Sequence, residues 1–113
     1  MQLDRRAQGD VLILKVLQSR LDLEGAPAMK QVLREAIEGG SLRIVLDLEA
    51  VTFLDSSGLG AIISGLKALA GRGTLVLSGA RGNVQDTLRL TRMDRVFLLY
   101  PSEAEAIAAL SKA

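Results

Sequence analysis

The 113-residue chain contains no cysteine, no histidine and no tryptophan, and only 3% of it is aromatic. Without thiols there is no disulfide, no thiol nucleophile and no thiolate-bound zinc or iron–sulfur centre. Without imidazole the usual general base, proton shuttle and metal ligand is missing too, so Ser-His-Asp and Cys-His catalysis are excluded. No metal and no cofactor is expected. Charge of one sign is not in excess either: 14 Lys+Arg stand against 13 Asp+Glu, a formal net charge of +1. The arginines are spread along the chain, without the clustered positive surface that phosphate-driven affinity needs, so no direct nucleic-acid binding is expected. Long apolar runs are also absent. The longest uncharged stretch, Ser56 to Leu66, falls well short of the roughly 18–20 residues of a membrane span. Asp4, Arg5 and Arg6 stand where an apolar signal core would lie, so no membrane insertion is expected, and the expected location is cytoplasmic.

What is present is an apolar fraction of 49% and only two prolines, with no linker or charge block, so residues 1–113 are read as one domain. Leu12, Leu14 and Val16 alternate in a first strong strand, and Leu3 to Ala7 can pair with it through Gln8-Gly9-Asp10 as a hairpin. From Pro27, the residues Met29, Val32, Leu33, Ala36 and Ile37 share one helical face, and Gly39-Gly40 ends the helix. Leu42 to Leu48 alternates as a strand with one strongly apolar side.

After a connection through Val51 to Asp55, the spacing of Leu59, Ile62, Ile63, Leu66 and Leu69 predicts a helix from Ser56 to Ala70. A strand over Thr74 to Ser78, a short helix over Val84 to Leu90 and a last strand over Val96 to Leu99 follow. Ser102 and Glu105 form a capping box for a closing helix containing Ala104, Ile107, Ala108 and Leu110. This order predicts an α/β fold. Its mixed sheet has about four to five strands, an opening hairpin followed by parallel βαβ units, with helices mainly on one face.

Leu54-Asp55-Ser56-Ser57-Gly58-Leu59-Gly60 sits where functional groups gather in such folds, between a strand and a helix N-terminus. Its structural reading is simple: Asp and Ser cap free N–H groups, and the helix dipole favours a carboxylate there. Two features point further. Glycine costs roughly 1 kcal/mol relative to alanine inside a helix, so Gly58 and Gly60 suggest that something approaches the backbone closely, a partner or a phosphate. Ala61, Ser64, Gly65 and Ala68 lie off the Leu/Ile stripe, and Lys67 is the only charge between Asp55 and Arg72, a face better suited to docking than to open solvent.

Asp-Ser-Ser-Gly-Leu-Gly after an apolar strand resembles the signature of STAS-domain proteins, in particular the anti-sigma factor antagonists. The resemblance continues through Leu21-Asp22, through Leu42 to Leu48, and through Leu90 to Phe97. It implies one STAS domain and a protein-binding module, not an enzyme. When unphosphorylated at Ser56, such a module sequesters an anti-sigma factor that is also a serine kinase and so releases a sigma factor. Ser56 matches the phosphorylated position, with Ser57 the second choice, and Asp22 matches an acidic residue near it.

The partner surface is then Asp22, Asp55, Ser57, Gly58, Gly60, Ala61, Ser64, Gly65, Lys67 and Ala68. The kinase supplies the ATP, and a PP2C-type phosphatase reverses the modification. Departures from the pattern are Ser19 for a glycine, Arg20 for an acidic or polar residue, and Asp94 for a glycine.

The alternative within the family is an accessory subunit of a lipid-transport ABC complex docking on its ATPase, and a scaffold subunit of a large signalling assembly is a further one. The intact Ser56-Ser57 pair favours the phosphoswitch. An enzyme reading rests on Gly79-Ala80-Arg81-Gly82-Asn83, a weak phosphate-cradle pattern better read as an ordinary strand-to-helix turn. Arg89, Arg92 and Arg95 are interleaved with Asp86 and Asp94 and read as a solvated face.

Overall fold

In a computed structural model, which describes residues 1–111, β1 (Leu3–Gln8) and β2 (Val11–Val16) form the antiparallel hairpin, with Leu3 opposite Val16 and Gln8 opposite Val11. Gly9, at φ 61°, makes the turn. The chain continues through β3 (Arg20–Leu21), α1 (Ala26–Glu38), β4 (Arg43–Asp47), β5 (Phe53–Leu54), α2 (Ser56–Leu69) and β6 (Thr74–Ser78). It closes through α3 (Gly82–Leu90), a 3-10 turn at Met93–Arg95, β7 (Leu99–Tyr100) and α4 (Glu103–Ser111).

The main sheet runs β1-β2-β4-β6-β7, and every pairing after the hairpin is parallel. A sheet that grows in one direction by crossovers of one hand carries each crossover helix on the same face. Accordingly Leu14, Ile44, Leu46, Leu75 and Leu77 pack with Leu33 of α1, Ile62 of α2 and Leu88 of α3 in one core. The alternate residues Ile13, Val45 and Val76 form a smaller core with Ala106, Ile107 and Leu110 of α4. Period-two alternation along β4 thus serves both faces at once.

At the end of β4, Asp47 is only 3% exposed, and its carboxyl lies above the usual range because burial penalises its charge and Glu103 of α4 faces it. Arg6 of β1 pairs with Glu103 and holds that carboxyl low. These contacts tie α4 and the hairpin to the sheet.

Two sequence expectations change. The last strand is Leu99–Tyr100, not Val96–Leu99. Arg92 turns the chain at φ 61°, the 3-10 turn follows, and Val96 and Leu98 point to solvent around a buried Phe97. In α4 the expected capping bond forms, Glu105 N–H donating to Ser102 Oγ at 3.2 Å, and the helix contains Ala104, Ile107, Ala108 and Leu110, with Ile107 and Leu110 buried. The stretch from Val51 to Asp55 is not a plain connection, since β5 pairs in parallel with β3, Arg20 against Phe53 and Leu21 against Leu54. This small second sheet positions the site.

Candidate functional site

Asp55 is the N-cap of α2, with extended backbone at φ −103° and ψ −176° and its Oδ1 accepting from the Gly58 N–H at 2.9 Å. That bond satisfies one of the free first-turn donors and commits the carboxylate to the helix. Ser56 is the first helical residue and is exposed; Ser57 is half-buried. The strand leading into this turn is clamped from α3: Leu54 N–H donates to Asn83 Oδ1 at 2.9 Å, and Thr87 Oγ1 donates to the Leu54 carbonyl at 3.0 Å. The first turn of α3 therefore contributes a backbone brace through Asn83.

Gly58 is required by the chain itself. A Cβ there would stand 2.1 Å from the Leu21 carbonyl oxygen, which also accepts from Asp55 N–H at 3.3 Å. The close approach inferred from sequence is thus made by β3. Gly60 is different: it is exposed, and an added Cβ would meet nothing within 4 Å.

The stripe of small residues on α2 divides in the same way. Ala61 and Gly65 are buried, and a Cβ on Gly65 would come within 2.7 Å of Leu33 Cδ1 of α1. These two positions and Gly58 are a packing seam and leave the accessible partner surface expected from sequence. Gly60, Lys67 and Ala68 remain exposed and Ser64 half-buried, its hydroxyl donating to the Ala61 carbonyl at 2.7 Å.

Asp22 lies in the turn after β3, half-buried. Arg20 Nε donates to its Oδ2 at 3.1 Å and holds the carboxyl below the usual range, and the guanidinium also sits 4.2 Å above the Phe53 ring centroid. The cation that departs from the family pattern thus neutralises the acid beside it. Asp22 opens on a depression with Gln18, Ser19, Arg20 and Glu24, whereas Ser56 and Ser57 open on a separate groove of about 470 Å³ lined also by Leu23, Pro27, Lys30 and Gly60. Leu23 is 72% exposed at the rim of that groove.

The geometry is an exposed hydroxyl at a helix N-terminus, beside an open amphiphilic groove, on a five-stranded mixed sheet. The STAS domain family matches residues 2–106. This chain belongs to the STAS domain family. A Thermotoga maritima protein that carries the name of an anti-sigma factor antagonist is 33% identical over 100 residues, covering 87% of this chain and 88% of its own. The crystal structure of an anti-sigma factor antagonist from Mycobacterium paratuberculosis superposes with a TM-score of 0.87 at 27% identity, over 96% of this chain and 92% of that one. A STAS domain protein from Planctomyces limnophilus shares the fold alone, at 22% identity with a TM-score of 0.86 over 97% of this chain and 98% of that one.

Sequence reasoning did not find Leu23, Lys30, Asn83 or Thr87 in this STAS site, because only the tertiary fold carries α1 and α3 to the start of α2. Asn83→Ala would strand the buried Leu54 N–H. The expected loss of unfolding free energy is about 1–3 kcal/mol by urea denaturation, with faster amide exchange at Leu54 and Asp55. A variant as stable as wild type would contradict the brace. Among the described residues no helix is long and apolar enough to cross a membrane, and no group of three His, Cys, Asp or Glu is placed to hold a metal ion.

Proposed function

We propose that this STAS protein is an anti-sigma factor antagonist whose binding is switched by phosphorylation of Ser56. Unmodified, it presents the first turn of α2, the exposed face through Gly60, Ser64, Lys67 and Ala68, and the nearby Asp22 turn to an anti-sigma factor that is also a serine kinase. Occupying that partner frees a sigma factor. The kinase transfers the γ-phosphoryl group of its own ATP to Ser56 Oγ; ADP leaves, and the hydroxyl proton is released. A PP2C-type phosphatase returns the serine by hydrolysing the phosphoester.

The observation that carries this reading is the exposure of Ser56 at the α2 N-terminus, where Asp55 is already occupied as the cap. The helix dipole and free N–H groups at that end tolerate a phosphate without refolding. The relatives named as anti-sigma factor antagonists support an anti-sigma factor as the partner.

Radiolabelling by the cognate kinase tests the acceptor. Ser56→Ala is expected to abolish incorporation, while Ser57→Ala, with the helix N-terminus and Ser56 unchanged, retains it. Undiminished labelling of Ser56→Ala sinks the assignment.

A further inference from the structure

Among the described residues, the groove beside Ser56 is lined by one cation, Lys30, and by no carboxylate. Lys30, on α1, is exposed and makes no salt bridge among the described residues, and it lines the groove with Ser56 and Ser57. The neighbouring charges are already committed: Asp55 caps Gly58, and Asp22 is held by Arg20 in the other depression. A dianion on Ser56 is therefore repelled from the Asp55 side and attracted to the Lys30 side.

We infer that phosphoserine at position 56 turns into this groove and pairs with the Lys30 ammonium, so that modification fills the docking groove as well as charging its rim. Lysine suits the role, since its ammonium is a mobile point charge on a four-carbon stem and needs no bidentate geometry. The apolar wall made by Leu23, Pro27 and Gly60 gives the unmodified groove a surface for an apolar side chain of the partner. Once the phosphate and Lys30 lie across it, that space is closed. Phosphorylation then acts on the partner by exclusion in addition to repulsion. The inference rests on the proposal that Ser56 is the modified residue.

The test installs phosphoserine at position 56 during translation, by an expanded genetic code, so that no kinase is needed. Phosphorus NMR titrations then compare wild type with Lys30→Gln, Lys30→Arg and Lys67→Gln. Pairing with Lys30 is expected to lower the second pKa of the phosphate by about half a unit relative to Lys30→Gln, an approximately 3-fold change in its proton dissociation constant. Lys30→Arg restores most of the shift and Lys67→Gln leaves it in place. Identical titrations in wild type and Lys30→Gln overturn the pairing. A partner affinity that still falls on phosphorylation in that case shows that the switch stands without it. Conversely, a Lys30-dependent shift with a partner affinity indifferent to the phosphate supports the pairing and removes the phosphoswitch.

Discussion

Phosphoserine at position 56 is expected to weaken binding of the partner kinase at least 100-fold while leaving the far-ultraviolet circular dichroism unchanged. Phosphate adds about −1.5 to −2 charges at neutral pH. Within the free protein that charge has a favourable place, because Ser56 is exposed and begins a helix, where the dipole and unpaired N–H groups favour an anion. In the complex the same group must lose water against a partner surface shaped for a hydroxyl. Burying an unpaired charge costs several kcal/mol, and about 2.7 kcal/mol already corresponds to 100-fold in affinity. The fold is spared and the interface is not. Calorimetric titration of the kinase with each form measures the ratio. An affinity within about threefold of the unmodified form, or loss of helical signal, would show that the charge acts elsewhere or by unfolding.

Gly58→Ala is expected to destabilise the protein by about 2 kcal/mol, and Gly60→Ala to stabilise it by up to about 1 kcal/mol. Alanine raises helix propensity equally at both sites, so the sign is decided by what the new methyl meets. At position 58 it meets the Leu21 carbonyl at 2.1 Å, a backbone group fixed in the β3–β5 pairing, and relief requires β3 to withdraw from α2. The overpacking cost, about 3 kcal/mol, exceeds the propensity gain of about 1 kcal/mol. At position 60 the methyl enters open space. Urea denaturation of the two variants measures the opposed signs. Equal stabilisation of both would mean that β3 does not lie against α2.

This pair of glycines also shows what a sequence can reveal of such a site. Of the two glycines read as marking a close approach, Gly58 has one and Gly60 has none, and nothing local distinguishes an approach by the chain's own carbonyl from one by a partner. The small-residue stripe has the same ambiguity. Ala61 and Gly65 read as a docking face because they lack charge, and a seam against α1 lacks charge for the same reason, to let Leu33 come close. Position along the helix decided the matter: residues 60, 64, 67 and 68 keep contact with solvent, whereas Ala61 and Gly65 are buried.

The main elements were legible because β4, β6 and the long helices carry their own periodicity over five or more residues. β3, β5 and β7 span two residues each and have no period; they exist through pairing with distant neighbours. Asp55 as the cap of α2 was legible from capping chemistry, whereas Ser56 was singled out only by the resemblance to the family. Leu23 and Lys30 were not legible, since an exposed leucine in a polar turn and a lysine on a polar helix face acquire meaning only when the fold sets them beside Ser56.

Affinity capture from the cells of origin, with unmodified and phosphoserine-56 proteins as matched baits and mass spectrometric identification, tests the central claim most directly. The account predicts a serine kinase with its own ATP site, retained by the unmodified bait and lost from the phosphorylated one. Equal capture by both baits of an ABC transporter ATPase would contradict it and place this STAS domain in a transport complex.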